Sequence, residues 1–138
     1  LVMENKKIHK KERNFNDKLN IDQIINKAQK LNASIMLISE IINYNGDLRL
    51  LGDLFRNRLK ESSIIVIGTI INKKPNLMCA VTDDLICKVS ASDIIKKIAP
   101  IIDGSGGGKN HLAMAGGKSA NKLNDVIKEA KDIIGKMI

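Results

Sequence analysis

The sequence predicts an α+β fold: a mixed β-sheet with flanking helices, preceded by an N-terminal helical, coiled-coil-like arm. Three observations carry this. The runs at 34–42, 63–71 and 77–84 are short, apolar and partly β-branched, as strands are. The segments at 47–61, 90–104 and 119–138 place apolar residues at helical spacing. Strands and helices mix without the strict βαβ alternation of a parallel sheet. A chain of 138 residues with 43% hydrophobic content can bury one core. We divide it into a helical arm (1–31) and a globular domain (32–138).

Residues 1–31 read as helix from Leu1, Ile8, Phe15, Leu19, Ile21, Ile24, Ile25, Ala28 and Leu31, with charges between them. The apolar stripe is thin up to Phe15, so this segment is either a solvated arm or the end of a coiled-coil stalk. The chain opens inside this pattern, which is expected of a piece of a longer polypeptide. "SIMLISEII" (34–42) is the first strand of the domain, and "NYNGD" (43–47) is a turn. Asp47 is positioned to cap the helix "DLRLLGDLFRNRLKE" (47–61), on which Arg49, Arg56, Arg58 and Lys60 are expected to face solvent. "SIIVIGTII" (63–71) is almost continuously apolar, hence a central strand covered on both faces. "NKKPN" (72–76) then turns the chain into an antiparallel strand at 77–84.

Ser90 or Ser92 caps the next helix, Pro100 kinks or ends it, and Gly104 is expected to stop it in a left-handed conformation. The last helix runs from a Ser119 cap, with Leu123, Val126, Ile127, Ala130, Ile133 and Ile134 as its apolar face. Asp83 and Asp84 suit a turn better than acid–base work, because neighbours in an extended segment point to opposite faces. Cys79 and Cys87 form no CxxC and no zinc set, and both are expected to be buried, inert thiols in a reducing cytosol. No apolar run approaches the ~20 residues needed to cross a membrane. The basic N-terminus lacks the apolar segment of a signal peptide.

A formal charge of +8 favours a polyanionic partner. Phe15, Tyr44 and Phe55 are the only aromatic residues, which argues against a single-strand binder that stacks bases upon aromatic platforms. Six of the ten glycines lie in "GSGGGKNHLAMAGGKSANKL" (104–123). Glycine loses the most backbone freedom on folding, so this concentration needs a reason. A Walker A loop fails: Leu112 and Asp103 occupy the positions of its first glycine. A dinucleotide fingerprint fails as well, at Lys109 or His111. A bare linker would not flank "HLAMA", a short strand, or run into a patterned helix. Glycines at the ends of a short strand permit left-handed turns and close backbone approach, and a glycine-rich start to a helix exposes N–H groups suited to phosphate. Lys109 and Lys118 add charge at each end. Ordinary turns would explain the same pattern.

The segment "GGGKNHLAMAGGK" (106–118) resembles the pattern Gly-Gly-Gly-Arg-Pro-Asp-Met-Ala-Gln-Ala-Gly-Gly of the C-terminal domain of bacterial alanyl-tRNA synthetases. "LRLLGDLFRNRL", "IIVIGTI" and "LMCAVTDDLICKVSASDIIKKIAPIIDGSGGG" fit the same family in the same order. The resemblance covers about residues 32–138, and the domain is of the type associated with DHH phosphoesterases. Lys109, Asn110, His111, Leu112 and Met114 depart from the pattern. Lysine keeps the charge of the usual arginine but loses its bidentate fork.

The resemblance implies a non-catalytic module that binds the outer corner of the tRNA accepting alanine and links aminoacylation to editing. Its parent would be a cytoplasmic ATP-dependent alanine–tRNA ligase. A folded RNA corner is read through shape and phosphates, and the basic, donor-rich residues suited to that are Gly106, Gly107, Gly108, Lys109, Asn110, His111, Gly116, Gly117, Lys118 and Lys122. No metal site and no cofactor are expected in this chain; ATP, Mg and Zn belong to the parent enzyme. The expected partners are tRNA, the remainder of the synthetase and a second copy in a homodimer. The rival readings are the accessory domain of a DHH-family phosphoesterase and a pure oligomerisation domain.

Overall fold

The computed structural model describes residues 23–137 apart from 33, 45, 60 and 61. The arm up to residue 22, with His9 and Phe15, lies outside the described residues, as does Lys60. After a helical turn at residues 23–26, the order is β1 (Gln29–Lys30), β2 (Met36–Ile41), α1 (Leu48–Leu59), β3 (Ser63–Ile71) and β4 (Lys74–Val81). Then follow α2 (Ala91–Ile98), β5 (Ser105–Gly108), β6 (Leu112–Gly116) and α3 (Leu123–Met137). Among the described residues, one sheet of six strands has the order β1-β2-β3-β4-β6-β5. Only β2 and β3 pair in parallel, joined through α1; every other pair is antiparallel.

The alternation of side chains along each strand divides the core in two. On one face Leu37, Ile64, Val66, Leu77, Cys79, Val81, Ala113 and Ala115 pack against α2 and α3. On the other, Ile38, Ile65, Ile67, Met78 and Ala80 pack against Leu51 and Phe55 of α1, with Ile24 beside them. β3 is therefore buried on both faces over most of its length, as its nearly continuous apolar run requires.

Local signals explain most boundaries. Asp47 accepts from the Arg49 amide at 2.9 Å, and Ser90 accepts from the Asp93 amide at 3.1 Å, capping α1 and α2. Pro100 cannot continue the α-helical ladder, and residues Ala99–Ile102 tighten into a 3₁₀ turn. Asn72 and Lys73 form a two-residue hairpin turn with φ of 52° and 66°. A turn that tight lets β4 begin at Lys74, earlier than the apolar pattern predicts.

Several expectations are corrected. Residues 29–30, read as the end of a helix, pair as strand with β2. The left-handed stop before β5 is Asp103, with φ 55°, not Gly104. Ser119 does not cap α3 with its side chain; a 3₁₀ turn at Ala120–Lys122 leads into the helix instead. Cys79 is buried and its thiol pKa is pushed far up by desolvation, but Cys87 is exposed in the turn after β4. Arg56 does not face solvent: its Nε donates to the Val81 carbonyl at 3.1 Å and its guanidinium pairs with Asp83.

Asp83 and Asp84 serve the turn they were assigned to. Asp84 accepts from the Thr82 hydroxyl at 2.7 Å and from the Ser62 amide at 2.9 Å, holding Ser62 at φ 55° as the chain enters β3. Burial disfavours the charged carboxylate, but the hydrogen bonds from Thr82 and Ser62 outweigh it and lower the Asp84 pKa. A depressed carboxylate contributes stability above its unfolded pKa of about 3.9 and loses it as pH falls toward the folded value. Denaturant titrations between pH 5 and pH 2 should therefore show wild type losing more stability on acidification than Asp84→Asn.

Candidate nucleic-acid interface

The glycine tract does not form turns. Ser105–Gly108 is the edge strand β5, in register with β6 from Ser105↔Gly116 to Gly108↔Ala113. No described glycine has a positive φ. The requirement is close approach of two backbones. A Cβ on Gly106 would overlap the Met114 carbonyl and lie 2.5 Å from the Ala115 Cα, while one on Gly108 would lie 2.6 Å from the Leu112 oxygen. Gly107 is different, because a Cβ there meets nothing within 4 Å. It pairs with Met114, whose side chain lies on the α1 face. α1 packs over β3, β4 and β6, so that face is open at the edge strand.

The result is a cleft of about 370 Å³ between α1 and the hairpin. Gly107, Gly108 and Met114 form its floor, Arg49 and Asp53 its wall, and Lys109 and His111 its end. The hairpin tip is firmly held. The Lys109 amide donates to the Leu112 carbonyl at 2.9 Å, Asn110 accepts from the Ala91 amide at 2.7 Å, and His111 accepts from the Val81 amide at 3.0 Å. The side chains of Lys109 and Asn110 stay exposed and that of His111 is half-buried. Arg49, Asp53 and Lys109 form no ion pair among the described residues.

Gly116, Gly117, Lys118 and Lys122 lie at the opposite end of β6, about 14 Å away along an extended five-residue strand. There a shallower depression of about 790 Å³ is bordered by Asn72, Lys74, Asn76, Gly116 and Lys118. The expected free N–H groups are not available at this end. The Gly117 amide donates to the Pro75 carbonyl at 3.0 Å, and the amides of Lys118 and Ser119 both donate to the Ile102 carbonyl, at 2.9 and 3.1 Å. The cationic side chains bordering this depression are those of Lys118 and Lys74. Lys122 lies 4.0 Å from Asp103, which also accepts the Ser119 hydroxyl.

The ten expected RNA-contact residues thus fall into two groups. Gly106–His111 belong to the narrower cleft and its hairpin, and Gly116–Lys122 to the far end. Sequence reading missed Arg49, Asp53 and Lys74. Arg49 and Asp53 are one turn apart on a flank of α1, next to buried Gly52, whose missing side chain lets Leu112 of β6 pack close: a Cβ at Gly52 would lie 2.5 Å from the Leu112 Cδ1. That i, i+4 pair was the available signal.

A family model, the DHHA1 domain, matches residues 33–136. The alanine–tRNA ligase of Dehalococcoides mccartyi is 36% identical over 115 residues, covering 82% of this chain and 13% of the relative. That of Natranaerobius thermophilus is 31% identical over 83% of this chain, again 13% of the relative. Among solved structures, the C-Ala domain of Aquifex aeolicus alanyl-tRNA synthetase aligns with a TM-score of 0.70 and 27% identity, covering 79% of this chain and 98% of that one. A pGpG-specific phosphodiesterase from Vibrio cholerae aligns with a TM-score of 0.52 at 12% identity, over 89% of this chain and 40% of that one, a likeness of fold alone. The chain spans 13% of the length of the curated relatives named here.

Proposed function

The chain belongs to the DHHA1 domain family, and on that premise we propose that it is a non-catalytic tRNA-binding module within an alanyl-tRNA synthetase. It would hold the outer corner of the tRNA that accepts alanine and bring the synthetic and editing domains onto one molecule. The remainder of the synthetase chain is its first partner and a second copy its next. Its setting is the cytoplasm, and ATP, Mg and Zn are assigned to other parts of the enzyme. Among the described residues no helix is long and apolar enough to cross a membrane.

The observation that carries this reading is the open cleft over Gly107, flanked by Arg49 and Lys109, in a chain homologous to alanine–tRNA ligases. A folded RNA corner is recognised through shape and phosphates, which needs cations and a floor free of side chains more than it needs aromatic residues. Gly107 supplies the floor. Arg49 and Lys109 supply charge on two sides, and Lys118 with Lys74 can take a second stretch of backbone about one hairpin length away.

The test is a titration with intact tRNA against an RNA duplex of equal charge. Tighter binding of the tRNA supports the module; equal binding rejects it. Gly107→Val should weaken tRNA binding by about tenfold or more, because its side chain fills the cleft, with no loss of stability. Gly106→Val should instead destabilise the fold by about 1–3 kcal/mol, because its side chain meets the β6 backbone. Unfolding midpoints and gel shifts on the two variants separate these effects. If Gly107→Val binds as wild type does, the cleft is not the RNA site.

A further inference from the structure

We propose that Asp53 reads a nucleobase within the narrower cleft and that the base it prefers is guanine. The inference rests on the reading of this cleft as an RNA site. A surface built only for phosphates has no use for a carboxylate, which repels them. A carboxylate nevertheless lies near each end of the hairpin, Asp53 on α1 and Asp103 just before β5. At the far end Asp103 is occupied within the protein, by the Ser119 hydroxyl and by Lys122 at 4.0 Å. In the narrower cleft Asp53 has no hydrogen bond or ion pair among the described residues. Its carboxylate is thus left for whatever enters.

An ionised carboxylate only accepts hydrogen bonds, so the group it meets must donate. Phosphates have no donor to offer and the ribose 2′-hydroxyl has only one, whereas a base edge can offer two side by side. Guanine presents two adjacent donors, N1–H and the N2 amino group, spaced to meet the two carboxylate oxygens together. Adenine and cytosine offer one amino group, and uracil offers a single N–H. The floor suits a flat ring, since nothing stands over Gly107 within 4 Å of where a Cβ would be. Arg49, one helical turn before Asp53, is placed to hold the phosphate of the same or the adjoining nucleotide.

The probe is an RNA stem-loop whose uridine loop carries one guanosine, compared with loops carrying inosine, which lacks the N2 amino group, or adenosine. Wild type should bind the guanosine loop about tenfold more tightly than either. Asp53→Asn is isosteric and exposed, so it should fold normally, which circular dichroism verifies. It should bind the guanosine loop several-fold less tightly, having lost one of the two acceptor oxygens, and the other loops slightly better, having lost a negative charge, so the preference for guanosine should shrink to under about twofold. If wild type binds the three loops equally, or if Asp53→Asn keeps the tenfold ratio, the assignment of Asp53 is overturned while the RNA site stands. If wild type binds neither these loops nor tRNA, the RNA reading itself is overturned, and this inference with it.

Discussion

Replacing Arg49 and Lys109 together by glutamate is expected to reduce tRNA affinity by at least about 100-fold at modest salt, or ~2.8 kcal/mol, with the fold unchanged. Both side chains are cations on the cleft over Gly107, and neither forms an ion pair among the described residues, so their reversal breaks no internal bridge. Each neutralised phosphate contributes to the dependence of affinity on salt. The slope of log affinity against log salt should therefore become shallower by about two in the double variant. Lys118→Glu, at the far end of the hairpin, should cost only several-fold. Fluorescence anisotropy with labelled tRNA across a salt series measures all three. A double variant that binds like wild type, with an unaltered slope, would place the RNA on another surface.

The largest effect on stability should come from Phe55→Ala. Phe55 is 0% exposed and lies between α1 and the sheet, among Ile38, Leu51, Ile65, Ile67, Met78 and Ala80. Truncation removes the apolar transfer energy and leaves a void that rigid strands cannot close, a loss of about 3–5 kcal/mol. In a domain of this size that is a large share of the total. Because α1 also carries Arg49 and Asp53, the variant should lose RNA binding in parallel with folding, unlike the charge reversal. Denaturant unfolding followed by circular dichroism checks the first statement, and anisotropy on the same sample checks the second.

How far the sequence was legible depended on side chains. β3 announced itself through a nearly continuous apolar run, interrupted only by Ser63 and Thr69, that left no polar face. α1 and α2 announced themselves through Asp47 and Ser90, because capping is a contact between near neighbours and so is written locally. β5 could not be read, since three of its four residues are glycine, which has no propensity for strand. Its geometry is imposed by β6, whose register it copies. The glycines looked like turn-formers because conformational freedom is their commoner use, whereas here Gly106 and Gly108 serve closeness to a neighbour. The candidate cleft was half legible: Lys109 and His111 sit inside the motif, but Arg49 and Asp53 reach it only through the packing of α1 on β6. Cys87 and Arg56 depart from expectation because the turn after β4 leaves its outer face wet, while the Val81 carbonyl at the end of β4 and Asp83 in the turn draw the arginine in.

The two-residue connection between β3 and β4 also bears on how the chain finds its shape. Ends joined through Asn72 and Lys73 meet at little entropic expense, so these long apolar strands are the natural first pairing. The parallel partner β2 can zip on only once the α1 crossover has formed, and β6 only after the segment carrying α2 has folded back. The glycine strand comes last, as an outermost layer that adds almost no burial of its own. The glycine floor proposed to receive RNA thus joins late, against a wall of α1 already in place, and the seed of the molecule lies at its centre.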